Sequence, residues 1–166
     1  WRPNEPWIQE VTIPAGMDVS FSGPAHKRTI AEWDAMGVTP RVGGFAMKDT
    51  KASLILPQGH KGSAFLAYPN FEIYFDWNQS FTYVMTAAYF ATRLEGVPVY
   101  DAGTPEPGLS GDQMKELQRR LQARGYHVGE IDGILGANTR IAVQKEQARL
   151  GLPADAWPTV ELLNAL

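Results

Sequence analysis

One stretch of the sequence, FTYVMTAAYFATRLEG at residues 81–96, predicts the long helix around which the first part of the chain is organised. Ser80 precedes it as a good N-cap, and Gly96 follows its last apolar position, as a glycine does beyond a helix C-terminus. The periodicity places a set of apolar residues on one face of this helix: Tyr83, Ala87, Phe90 and Leu94.

The other faces of this helix are apolar too, so it needs packing partners on every side. We expect part of this packing to come from residues outside the 166 of this chain. In that case a second set of side chains would be exposed, or covered by a neighbouring molecule or by residues 97–110. This set is Phe81, Val84, Met85 and Tyr89.

The residues before the helix predict a small antiparallel sheet, because their apolar runs are short and bounded by turn residues. The last of these runs lies in NFEIYFDWNQS, residues 70–80, which we interpret as a strand that ends in a polar elbow. The predicted strands are residues 8–13, 52–56, 64–68 and 73–77. A short helix over 29–37 is indicated by Thr29 as its cap and Glu32 at the capping-box position.

A change in composition divides the chain after the long helix. Residues 97–108 are rich in proline and glycine and poor in apolar residues, which is typical of a linker. Residues 109–166 then have the pattern of three short helices, the first capped by Ser110 and the third starting near Thr159. We therefore expect a domain over 1–96, a linker over 97–108 and a small helical domain over 109–166.

Composition argues against several classes of function. The formal charge of -3, with no run of lysine or arginine, gives no indication of a nucleic-acid partner. No apolar stretch is long enough for a transmembrane segment, and the first residues do not have the pattern of a signal peptide. There is no cysteine, and the three histidines, at 26, 60 and 127, are scattered and interpreted as surface residues. We expect no metal and no cofactor.

Residues 109–166 carry a series of spaced motif positions: Leu117-Gln118-x-x-Leu121, Gly125-Tyr126, Gly129-x-Ile131-Asp132-Gly133, Thr139-Arg140-x-Ala142-Val143, Gln147 and Gly151-Leu152-Pro153-Ala154-Asp155. This pattern resembles the peptidoglycan-binding module of cell-wall enzymes. The resemblance implies a three-helix bundle that holds murein glycan strands or stem peptides in a shallow groove. The candidate binding residues are Asp132, Gly133, Thr139 and Arg140.

Two interpretations of this loop stay open from the residues alone. Thr139 and the free N–H groups of the helix start could bind an anionic or carbonyl group, or Asp132 and Thr139 could only cap and fix the loop. The module also departs from the family at two positions. Glu146 stands where an aromatic residue is usual, and Ala156, followed by Trp157, stands where glycine is usual.

The first hundred residues carry a second series, including Pro6-Trp7, Ala52-Ser53-Leu54-Ile55-Leu56-Pro57-x-Gly59, Gly62-x-Ala64-Phe65-Leu66-x-Tyr68 and Trp77-Asn78-x-Ser80-x-x-Tyr83. They resemble the C-terminal part of the catalytic domain of B-type lytic murein transglycosylases. The resemblance implies a lysozyme-like fold in which one glutamate cleaves the MurNAc–GlcNAc bond and leaves a 1,6-anhydro sugar. It places the cleft wall at Trp77, Asn78, Ser80 and Tyr83.

That catalytic glutamate lies, in the family, before the region that residues 1–100 resemble. Glu72 and Asp76 would share one face of the predicted strand, but the family gives these positions no catalytic role. We interpret the other carboxylates of this region, including Glu5, as solvated.

The expected fold is therefore α+β, a partial lysozyme-like domain of small antiparallel sheet plus helix followed by a three-helix bundle. The leading hypothesis is a C-terminal fragment of a lytic transglycosylase from the periplasm or cell envelope of a Gram-negative bacterium. Such a fragment is inactive alone, and its partners are peptidoglycan and the missing N-terminal half of the catalytic domain. The alternatives are a stand-alone, non-catalytic peptidoglycan-binding or scaffold protein and, less favoured, an unrelated hydrolase that uses Glu72 and Asp76.

Overall fold

The computed structural model describes residues 1–45, 47–78 and 80–166, so Gln79 of the predicted elbow lies outside the described residues. The strands are β1 (Ile8–Thr12), β2 (Lys27–Thr29), β3 (Thr39–Pro40), β4 (Lys51–Ile55) and β5 (Ala64–Ala67). The helices are α1 (Ile30–Ala35), α2 (Pro69–Trp77), α3 (Phe81–Leu94), α4 (Gly111–Ala123), α5 (Ala137–Leu150) and α6 (Val160–Ala165). None of the helices in the described part of the chain is long and apolar enough to cross a membrane.

The five strands form one antiparallel sheet in the order β2-β4-β5-β1-β3. The central hairpin pairs Leu54 with Leu66 and Ile55 with Phe65, so its two faces alternate between two cores. One core lies under α1, whose Trp33 is fully buried and donates from Nε1 to the Ala52 carbonyl over 2.9 Å. The other core lies under α2 and α3. The sheet therefore holds α2 and α3 against its second face.

The prediction of a strand at residues 73–77 is wrong, because these residues belong to helix α2. Pro69 occupies the first turn, where a missing N–H costs nothing, and the chain turns helical from there. The buried side chain of Asn70 anchors the start by donating to the carbonyls of Arg2 and Glu5, both over 2.8 Å. Glu72 and Asp76 are consequently one helical turn apart and exposed, and Glu72 pairs with Lys27.

Helix α3 forms as the sequence predicts, with Ser80 as its N-cap and Gly96 at a φ of +85° beyond its end. The face that it buries differs from the expectation. Phe81, Val84 and Met85 lie in the core under the sheet, and Tyr89 packs on Tyr100 with ring centroids 4.9 Å apart. The exposed apolar face is the other one, at Tyr83, Phe90 and Leu94. The sheet side of the core covers Phe81, Val84 and Met85, whereas Tyr89 is covered by Tyr100 from residues 97–110, which was one of the expected alternatives.

Helices α4, α5 and α6 pack around a separate core that includes Leu117, Leu121, Val143 and Leu162. Ser110 and Gln113 form a reciprocal capping box at the start of α4, and Thr159 caps α6. Gly151 ends α5 in the left-handed conformation at a φ of +71°. These three helices are the bundle that the sequence predicts for residues 109–166.

The segment at residues 97–110 joins α3 to α4. It lies against the sheet and helices of residues 1–96, which we call the sheet domain; residues 109–166 are the helical module. Gly103 forms a β-bridge with Gly62, and Thr104 N–H donates to the Lys61 carbonyl over 2.8 Å. Tyr100 packs beside Phe65. Further along the chain, Trp157 of the helical module donates from its indole N–H to the Glu106 carbonyl over 2.9 Å. The segment thus contacts the sheet domain on one side and the helical module on the other.

Candidate glycan-binding surface and peptidoglycan-binding module

The elbow between α2 and α3 is built from short local hydrogen bonds. Asn78 ends α2, and its side-chain oxygen accepts from the Ser80 N–H over 2.8 Å. The Ser80 hydroxyl accepts from the Tyr83 N–H over 3.4 Å at the first turn of α3. Both polar side chains therefore stabilise the elbow, and a fixed helix start is a suitable place from which to present neighbouring groups.

Trp77 and Tyr83 meet across this elbow. Their ring centroids are 5.6 Å apart with an interplanar angle of 52°. The two residues are 68% and 49% exposed, which is unusual for a pair of large aromatic side chains. Aromatic faces of this kind match the apolar faces of sugar rings, and the nearby amide and hydroxyl groups suit sugar hydroxyl and acetamido groups. The four predicted cleft-wall residues are thus adjacent on one surface.

Gln118 organises the turn that carries Asp132 and Gly133. It is 1% exposed, and its amide nitrogen lies within 3.1 Å of Asp132 Oδ1 while its amide oxygen accepts from the Gly133 N–H over 2.9 Å. Asp132 also accepts from the Ile134 N–H, and the hydrogen bond from Gln118 is the main reason that the pKa of Asp132 is lowered. Gly133 has a φ of +82°, and a Cβ there would lie 2.8 Å from the Gly111 carbonyl oxygen.

Replacing Gln118 with alanine is expected to lower the free energy of unfolding of the module by about 2 kcal/mol, because Gln118 is itself buried and the carbonyls of Glu130 and Ile134 lose their donor. Thermal or urea unfolding followed by circular dichroism measures this change. Gln122→Ala is the matched control, since Gln122 is on the same helix but exposed. Equal effects of the two substitutions would contradict the role assigned to Gln118.

Thr139 and Arg140 do not join Asp132 and Gly133 in one groove. Thr139 is 1% exposed, and its hydroxyl donates to the Val128 carbonyl over 3.3 Å. Of the two interpretations left open, this geometry favours the one in which the Thr139 side chain fixes the loop inside the module. Arg140 extends to the junction with the sheet domain, where it donates to the Pro57 carbonyl over 2.8 Å.

A second glutamine, Gln147, fixes another turn, at Asp155–Trp157, whose residues the sequence motif includes or adjoins. Its amide donates to Asp155 Oδ1 over 2.9 Å and to the Trp157 carbonyl over 3.0 Å, and its oxygen accepts from the Ala156 N–H. Ala156 has a φ of +62°, in the left-handed region that favours glycine. Glycine is the usual residue at this position in the family that the module resembles.

The turn at 155–157 meets the sheet domain through His60. Asp155 Oδ2 lies 2.6 Å from His60 Nδ1 and accepts from the His60 N–H over 3.0 Å. The expectation of a plain surface position is therefore wrong for His60, which is half-buried at this junction. No local signal in the sequence connects these two residues, because 95 positions separate them.

A cavity of about 580 Å³ lies away from the elbow and is lined by aromatic residues that include Trp7, Tyr68, Tyr89 and Tyr100. Glu5 is at its edge and only 8% exposed, contrary to the solvated position expected for it. Its Oε2 lies 3.3 Å from Arg2 Nη1, and its Oε1 is buried without a hydrogen-bond partner. A buried carboxylate beside an aromatic cavity is a candidate polar group of a binding site.

Two protein families match this chain. Residues 1–92 match the transglycosylase SLT domain family, and residues 110–166 match the peptidoglycan binding domain family. The elbow at Trp77–Tyr83 lies within the first match, and the turns fixed by Gln118 and Gln147 lie within the second.

The structure is similar to that of SltB3 from Pseudomonas aeruginosa, solved in complex with NAG-anhNAM-pentapeptide and with NAG-NAM-pentapeptide. For the first complex the TM-score is 0.82 and the sequence identity 39%, covering 99% of this chain and 45% of SltB3. For the second the TM-score is again 0.82, at 38% identity, covering 99% of this chain and 46% of SltB3.

Two curated relatives match part of this chain. The spore cortex-lytic enzyme of Bacillus cereus is 35% identical over 63 residues, which are 38% of this chain and 24% of that enzyme. The N-acetylmuramoyl-L-alanine amidase CwlM of Mycobacterium tuberculosis is 40% identical over 58 residues, which are 35% of this chain and 14% of the amidase.

This chain spans less than half the length of these proteins. Both matched families are concerned with peptidoglycan, which gives the chain an extracytoplasmic role in the cell wall. From the match over residues 1–92, the chain belongs to the transglycosylase SLT domain family, and a peptidoglycan-binding domain follows.

Proposed function

We propose that this chain is the murein-binding portion of a lytic transglycosylase that cleaves the bond between N-acetylmuramic acid and N-acetylglucosamine and forms a 1,6-anhydro sugar. The observation that carries the proposal is the exposed pair Trp77–Tyr83 within the matched transglycosylase region. We place this activity in the periplasm of a Gram-negative bacterium, in keeping with the likeness to a Pseudomonas aeruginosa protein.

In this proposal the elbow is one wall of the glycan cleft. Trp77 and Tyr83 stack on the apolar faces of sugar rings, while Asn78 and Ser80 hold the elbow and offer their remaining hydrogen-bonding capacity to the glycan. The helical module adds a second contact to the same polymer. Two linked sites on one polymer raise the overall affinity without any new contact, because the second binding event is intramolecular.

The catalytic acid of the reaction is proposed to lie outside these residues. Several acids of the sheet domain are engaged elsewhere: Glu72 pairs with Lys27, and Glu10 pairs with Arg41 and accepts from the Asp101 N–H. We propose that the missing half of the catalytic domain supplies the acid and packs on the exposed face of α3 at Phe90 and Leu94.

The proposal is tested with purified sacculi. The 166-residue chain is expected to pellet with them and to release no 1,6-anhydro-muropeptides, as measured by liquid chromatography and mass spectrometry. Pelleting without release agrees equally with the stand-alone scaffold alternative, so the longer gene product is assayed in parallel. Release by that product supports the transglycosylase. Release by the 166-residue chain, lost on Glu5→Gln, would instead locate the acid at Glu5.

Replacing Trp77 with alanine is expected to weaken binding of soluble, amidase-treated glycan strands about 10-fold, because one sugar-stacking face is lost. Such strands carry no stem peptide, so isothermal titration calorimetry with them reports mainly on the elbow. Trp1→Ala is the control, because Trp1 is as exposed as Trp77, at 67%, but packs against Trp7 rather than at the elbow. An unchanged affinity of the Trp77 variant would remove the elbow from the cleft.

A further inference from the structure

A cavity of about 380 Å³ lies where the helical module meets the sheet domain. It is bounded by α3 on one side and by the start of α5 on the other. Its lining includes Gln58, Thr82, Met85, Tyr89, Leu135 and Arg140. Among the described residues that line it, Arg140 is the one that carries a charge.

The guanidinium of Arg140 packs against two aromatic rings, but one of its hydrogen-bond donors has no acceptor. It lies 4.7 Å from the ring centroid of Phe81 and 6.0 Å from that of Trp157. Nη2 donates to the Pro57 carbonyl over 2.8 Å, whereas Nε is buried and has no hydrogen-bond partner. A buried donor without an acceptor is costly, and native proteins rarely leave one unless something else binds there.

No carboxylate within the described residues comes within 4.0 Å of this guanidinium. Asp155 acts on Arg140 electrostatically, but its oxygens are already bonded to His60, Gln147 and the Trp157 N–H. Burial lowers the pKa of Arg140 to about 10, so the group is still charged at neutral pH. It also lies in the first turn of α5, where the helix dipole disfavours a cation.

We infer that this junction cavity binds a carboxylate of a peptidoglycan stem peptide, with the carboxylate on the Arg140 guanidinium and the peptide's aliphatic part against Met85 and Leu135. The inference rests on the proposed function, since it assigns the stem peptide a place beside the glycan surface. The planar guanidinium of Arg140 suits a planar carboxylate, and the other lining residues carry no opposing charge.

The position of the cavity fits a ligand that is attached to a sugar at the elbow. Thr82 lines the cavity, and its neighbours Ser80 and Tyr83 belong to the elbow surface at the same end of α3. A stem peptide leaves the glycan from the muramic acid residue. Thr82 and Tyr83 are consecutive in the first turn of α3, so a glycan strand on Tyr83 would carry its stem peptide near the end of α3 that lines the cavity.

The test uses the free pentapeptide L-Ala-γ-D-Glu-meso-diaminopimelate-D-Ala-D-Ala and the same peptide with every carboxylate converted to the amide. The intact chain is expected to bind the acid form at least about 10-fold more tightly than the amide form by NMR titration. Arg140→Met removes the charge at similar length, and it should bind the acid form as weakly as the intact chain binds the amide. Arg140→Lys should recover part of the affinity.

Arg119→Met is the control, because Arg119 is exposed on α4 and distant from the cavity. If Arg140→Met fails to fold, the comparison of acid and amide forms on the intact chain still decides the question. Equal affinity for the two forms, or no binding of the pentapeptide, would overturn the carboxylate site. Pelleting with sacculi is scored separately, so a chain that pellets but does not discriminate the two peptides refutes this site and leaves the proposed function standing.

Discussion

Replacing Glu146 with alanine is expected to lower the free energy of unfolding of the helical module by about 3 kcal/mol, because a buried carboxylate with several partners is removed. Glu146 is 2% exposed, accepts from the Tyr126 hydroxyl over 2.8 Å, and lies 2.7 Å from Arg149 Nη2. Arg124 Nε is a third partner at 4.0 Å. Chemical denaturation followed by circular dichroism measures the loss.

Glu146→Phe is the informative companion, since an aromatic residue is usual at this position in the family that the module resembles. A hydrophobic side chain that fills the site of a buried ion pair is often neutral, so we expect a loss of less than about 1 kcal/mol. A loss as large as that of Glu146→Ala would show that the charge, rather than the filled volume, stabilises this position.

The same pair of variants has a pH signature. Burial of Glu146 acts to raise its pKa, but hydrogen bonds from Arg149 and Tyr126 outweigh it and leave the pKa lowered. A carboxyl whose folded pKa is depressed contributes stability that is present above its unfolded pKa, about 4.3, and is lost as the pH falls through the folded pKa. The intact chain should therefore lose more stability than Glu146→Phe between about pH 5 and about pH 3.

Replacing Gly59 with alanine is expected to cost about 3 kcal/mol and to loosen the contact between the sheet domain and the module, because the added methyl has no room. Its Cβ would lie 2.7 Å from Asp155 Oδ2 and 2.9 Å from Trp157 Cβ, and the residue also has a φ of +77°. Differential scanning calorimetry should then resolve two transitions, with Asp155 and His60 no longer in contact.

Gly16→Ala separates the two causes of this effect. Gly16 has nearly the same φ, +75°, but nothing lies within 4 Å of a Cβ built on it. Its substitution should cost only about 1 kcal/mol, the penalty of a left-handed residue with a side chain. If both variants lose the same stability, the close approach of the module at Gly59 has no energetic consequence.

The sequence was most informative where a local signal determines local structure. Capping pairs such as Thr29–Glu32 and Ser110–Gln113 located helix starts correctly, since the partners lie three residues apart. The prediction failed at α2, where the apolar side chains of residues 70–77 fit a strand as easily as a short helix. Pro69 was the local signal that could have decided between them, because proline is favoured in the first turn of a helix.

The candidate site divides in the same way. The elbow and the turn at Asp132 could be located from sequence because their hydrogen bonds join near neighbours. The buried position of Glu5, the contact of His60 with Asp155 and the junction position of Arg140 could not, because each depends on tertiary packing. The assignment of the elbow to glycan binding and of Arg140 to peptide binding is a prediction.

The two buried glutamines of the helical module share one hydrogen-bonding arrangement. Gln118 in α4 and Gln147 in α5 each use both the nitrogen and the oxygen of the side-chain amide to bond a later turn. The turns are at Asp132-Gly133 and at Asp155-Ala156. Leu121 and Leu150 occupy matching positions three residues after each glutamine. The module thus fixes two turns with neutral amide groups, which do not titrate, and the second of these turns is the one that holds the sheet domain through Asp155 and His60.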